Sequence, residues 1–129
     1  MSADNVIGLR PNDHVTQDAE PIATIYRNLG AASAEQVVTR ALTELALTMA
    51  GLASQVKARE LSDMDRQLRR LQRMSENLGL VSLGKIAGDV RECLTRSDTA
   101  SFSAVWARLL RVAERSLATD REFLGQTQI

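Results

Sequence analysis

The chain has 129 residues, of which 16 are Lys or Arg and 16 are Asp or Glu, with 44% hydrophobic and 25% charged side chains. That is room for one domain with its own core, needing neither disulfide nor metal, and the balanced charge excludes a global field that would draw the whole surface to nucleic acid or anionic lipid. The proportions exclude a disordered or membrane class, while the single Cys93 and the lack of a leader-like or long apolar run lead us to expect a cytoplasmic protein.

Residues 1–20 show no sustained period and hold Pro11 among Asn, Asp, Ser and Thr, which predicts a flexible N-terminal tail ahead of a single domain over residues 21–129. Pro21 suits the first turn of a short helix from Ile22 to about Asn28, ended by Gly30. Ser33 followed by Gln36 has the form of a capping box and opens the longest helix, in which Val38, Leu42, Leu45, Met49, Leu52 and Val56 alternate spacings of four and three.

Ser62 with Asp65 repeats the start signal, and Met64, Leu68, Leu71, Met74 or Ser75, and Leu78 carry the next stripe to Gly79. Ser82 can cap a fourth helix with Leu83, Ile86, Val90 and Cys93 or Leu94 inward, broken at Ser97-Asp98. Thr99 or Ser101 opens the last, with Phe102, Val105, Leu109, Val112 and Leu117 inward. Ala, Leu, Arg and Glu abound while aromatics are few, so the fold class expected is all-α. Short links make successive helices antiparallel, which predicts an up-down-up-down four-helix bundle with the short first helix as a lid.

Side chains suited to catalysis are few. His14, the only histidine, falls in the expected tail, where nothing orients it. Cys93 sits on an apolar stripe and reads as a small core hydrophobe rather than a reactive thiol. No Glu-x-x-His pair or comparable cluster suggests a metal, and no glycine-rich phosphate loop suggests a nucleotide, so no metal and no cofactor is expected. Gly84 and Gly88 read instead as a close helix approach. Phe102 reads as core, whereas Trp106, one step off the stripe, suits either core or a partner, as does Tyr26.

One helix face stands out. Arg66, Arg69, Arg70 and Arg73 fall at i, i+3, i+4 and i+7 and project from one side, away from Leu68 and Leu71. Glu60, Asp63 and Asp65 before them suit the helix dipole, Asp65 can pair with Arg69, and Glu44 or Asp89 could neutralise the patch from neighbouring helices. Against a merely solvated face, Arg66/Arg70 and Arg69/Arg73 are like-charge i,i+4 pairs that cost an isolated helix roughly 0.2–0.5 kcal/mol each. A partner-binding face and a structural one both remain open on these grounds.

This helix, with the following Asn77-Leu78-Gly79 and the run to Leu94, resembles the histidine phosphotransfer domains of bacterial phosphorelays over about residues 33–124. Aligned on Asn77-Leu78-Gly79, the family's His-x-Leu-Lys-Gly motif places its leucine on Leu71, its phosphorylated histidine on Arg69, its lysine on Gln72 and its glycine on Arg73. The resemblance implies a four-helix bundle and a two-component partner. The departure at Arg69 excludes phosphotransfer there, since a guanidinium stays protonated and is no nucleophile.

The expected function is a non-catalytic signalling module that binds a receiver domain or a histidine kinase through Arg66, Arg69, Arg70 and Arg73. A helical homodimer or assembly subunit is the alternative from a different class. Nucleic-acid binding has the local basic stripe in its favour, with the neutral balance and few aromatics against it.

Overall fold

Helix boundaries follow from where the backbone can turn. A computed structural model describes residues 15–128, with side chains to residue 118, and holds five helices and no strand among the described residues. They are α1 (Glu20–Leu29), α2 (Ala31–Ala58), α3 (Met64–Asn77), α4 (Val81–Arg96) and α5 (Thr99–Gln128).

Gly30, at φ +82°, closes α1 and opens α2 in one residue. Three other ends share one hydrogen-bond pattern, in which an amide two or three residues past the end reaches back five residues and its predecessor reaches back three. After α3, Leu80 N–H donates to Ser75 O and Gly79 N–H to Glu76 O, with Gly79 at φ +75°. After α2 and α4 the left-handed position is taken by Arg59 and Ser97 instead of glycine.

The expected serine caps are not used. Ser33, Ser62 and Ser82 make no cap; the residues before α2, α3 and α4 are Gly30, Asp63 and Leu80, none with a side-chain cap bond. Ala31 and Ala32 extend α2 back to the glycine, which leaves Ser33 inside it. Asp98 does cap: its Oδ1 accepts the Ser101 amide at 3.0 Å, and the two hydrogen bonds from Ser101 hold its carboxyl below the usual range.

Packing joins α2 to α3, α3 to α4, α4 to α5 and α5 back to α2, while α1 lies on α2. The core lies between them. It takes Val38, Leu42, Leu45, Met49 and Leu52 from α2, Met64, Leu68 and Leu71 from α3, Leu83, Ile86 and Val90 from α4, and Leu109 and Val112 from α5, as their spacing predicts. Ser75 rather than Met74 is the buried alternative, its hydroxyl returned to Leu71 O at 2.8 Å. Trp106 is buried in the core, with half-buried Phe102 stacked on it at 6.2 Å. Cys93 corrects its expectation: it is half-buried, because the α4 end is only loosely covered by the link at Leu61. No described helix is long and apolar enough to cross a membrane.

The tail expected over residues 1–20 needs correcting at its end. Residues 1–14, His14 included, lie outside the described residues, but residues 15–18 are tied to the α3–α4 turn. Thr16 N–H donates to Ser82 Oγ at 2.8 Å, Ser82 N–H to Thr16 O at 3.2 Å, and Asp18 N–H to Gly79 O at 2.8 Å. α1 then starts at Glu20, two residues earlier than expected.

Candidate functional site

At roughly 100° per residue, the four arginines of α3 span about a quarter of its circumference, opposite the buried Met64, Leu68, Leu71 and Ser75. All four are exposed. The structure therefore brings together the residues that the spacing singled out. The face has two flanks: Arg69 lies on the side of α4, Arg70 on the side of α2, with Arg66 and Arg73 between.

Their neutralisation is local. Arg66 donates to Asp63 Oδ2 at 3.1 Å, and Arg69 donates to Asp65 Oδ2 at 2.8 Å, the i,i+4 pair expected from the sequence. Glu44 and Asp89, considered as partners from neighbouring helices, pair with none of the four, and Glu60 lies in the link ahead of α3 rather than in its first turn. Arg70 and Arg73 have no ion pair with another described residue.

A residue the sequence reading missed completes the site. Arg91 of α4, only 29% exposed, donates through Nε to Asp65 Oδ1 at 2.9 Å and through Nη1 to Gln72 Oε1 at 3.0 Å. One carboxylate thus serves two guanidiniums. The hydrogen bond from Arg91 is the largest influence and, helped by the charges of Arg91 and Arg69, holds the Asp65 carboxyl below the usual range against the opposing desolvation. The available signal was the run Gly84, Gly88, Arg91, whose spacings of four and three put all three on the α4 face turned to α3. A Cβ on Gly88 would lie 3.0 Å from Gln72 Nε2, as expected of a close approach, whereas one on Gly84 would meet Ser75 Cβ at 3.6 Å, an ordinary contact.

Of the residues aligned on the phosphotransfer motif, Leu71 is fully buried, Gln72 is half-buried and held by Arg91, and Arg69 and Arg73 stand in solvent. An open depression of about 310 Å³ beside Gln72 is lined by Glu76, Lys85 and the docked Asp18. Among the described residues no group of three His, Cys, Asp or Glu side chains could hold a metal ion.

Searches of protein-family models, curated proteins and solved structures find no match for this chain. Forked guanidiniums on a rigid helix can bind carboxylates or phosphate oxygens in pairs.

Proposed function

We propose that the chain is a non-catalytic signalling module resembling the histidine phosphotransfer domains, which binds a receiver domain or a histidine kinase through the arginine face of α3. In this reading α2, α3, α4 and α5 form an antiparallel up-down-up-down bundle. The packing of each helix on the next, with links of two to five residues, supports that arrangement. The phosphorelay partner places the module in the cytoplasm.

The observation that carries the proposal is the state of Arg69 and Arg73. Arg69 is 56% exposed at the position aligned on the phosphorylated histidine, and Arg73 is exposed with no described counter-ion at the position aligned on the glycine. An acidic receiver pocket is the complementary surface, and the bidentate geometry of arginine suits its carboxylates. The module occupies that pocket without reacting, and so sequesters or modulates the receiver. Arg66 and Arg70 extend the positive surface towards α2.

The test is affinity for candidate receiver domains, measured before and after Arg69→Glu with Arg73→Glu. Loss of binding on double charge reversal, with helicity unchanged, is the expected outcome. Unchanged affinity disposes of the arginine-face model, and transfer of acid-labile phosphate from a phosphorylated receiver to the chain disposes of the non-catalytic one.

A further inference from the structure

A second surface lies on the α2 side of α3. Gly51 sits within α2, where glycine weakens a helix, and no atom of the rest of the fold lies within 4 Å of the place its Cβ would take. Nothing in the chain's own packing calls for glycine there. One turn earlier, Leu47 is 67% exposed. Both line an open depression of about 560 Å³ between α2 and α3, with Glu44 and Arg70 also on its lining. Neither charge is in an ion pair with another described residue. Gln55, on the same depression, has a buried Oε1 without a hydrogen-bond donor.

We infer that this surface is a homodimer interface, in which two copies of α2 cross antiparallel, Leu47 of each seats over Gly51 of the other, and Glu44 of each pairs with Arg70 of the other. A two-fold interface needs one patch that carries both halves of every contact. This patch does: a protruding leucine and an open glycine one turn apart, and one acid with one base. An acidic partner would meet Glu44 as a like charge, so the occupant that satisfies both charges is a second copy. The zero net charge puts little long-range repulsion in its way. The inference shares only Arg70 with the signalling proposal; Arg69 and Arg73, further round α3, stay uncovered in such a dimer.

The experiment is sedimentation equilibrium of the full chain across concentration, with helicity followed by circular dichroism. The apparent mass rises from 14.1 kDa towards twice that value. Leu47→Glu and Gly51→Gln each return it to the monomer with helicity kept, the second by filling the seat with a good helix former. Glu44→Arg and Arg70→Glu, each monomeric alone, dimerise when mixed, since both contacts of the mixed pair join opposite charges. That mixing result separates a bond between chains from one within a chain. A wild-type chain monomeric at millimolar concentration, a dimer indifferent to Leu47→Glu, or single variants that do not combine would each overturn the inference.

Discussion

Replacing Arg91 by methionine removes the tie between α3 and α4 while keeping most of its aliphatic stem. Arg91 is 29% and Asp65 46% exposed, so their 2.9 Å pair falls between a surface ion pair, worth about 0–1 kcal/mol, and a charge-assisted bond out of water, worth about 1.5–3 kcal/mol. After discounting for solvent screening we expect a coupling of about 1 kcal/mol. Gln72 Oε1, left without Arg91, lies on a half-buried side chain that water can reach, so the total for Arg91→Met is about 1–1.5 kcal/mol, or roughly 4–6 °C in Tm. A double-mutant cycle with Asp65→Ala, followed by urea unfolding, isolates the pair from any helix-dipole effect of Asp65. The pH dependence has a definite sign. Because the folded state lowers the Asp65 carboxyl, its contribution is complete above the ordinary carboxylate value near 3.9 and is lost as pH falls through the lower folded value. A coupling at neutral pH within the about 0.3–0.5 kcal/mol error of additivity, or one that persists in strong acid, would show that the Arg91–Asp65 pair does not tie the two helices.

Other substitutions test the elements around the site. Gly79→Ala places a side chain at φ +75° and drives its Cβ into the Asp18 carbonyl, so a loss of about 2–3 kcal/mol is expected, with faster amide exchange at Asp18; a variant as stable as wild type would show that the docked segment contributes nothing. Gly84→Ala, whose methyl meets α3 in ordinary contact, should gain about 0.5–1 kcal/mol in urea unfolding. Gly88→Ala pushes on Gln72 Nε2 at 3.0 Å and should come out near neutral, the gain in helix propensity offset by the disturbed Gln72–Arg91 bond.

Much of the fold was legible because it rests on period. Leu68, Leu71 and Ser75 are buried and Arg66, Arg69, Arg70 and Arg73 exposed for the same reason, the 3.6-residue turn. Helix ends were harder to read where they broke the usual chemistry. Arg59 and Ser97 take left-handed positions that glycine favours, and Ser33, Ser62 and Ser82 carry a cap signal that the backbone does not use. Ser82 serves instead as the acceptor for Thr16, a contact 66 residues away in the chain that no local pattern announces. The face itself was found from spacing, but its charge balance was not: Arg91 reaches Asp65 from another helix, and one-dimensional spacing does not pair helices.

Whether the arginine face of α3 binds a protein partner is read by mapping backbone amide shifts of the labelled chain as an unlabelled receiver domain is added. The shifts are expected to concentrate at residues 66–73 and at the adjoining Gly88 and Arg91 of α4, and to vanish in the Arg69→Glu, Arg73→Glu chain. Shifts concentrated on α5 or α1 with α3 silent, or a map unaltered by the double charge reversal, would contradict binding through that face.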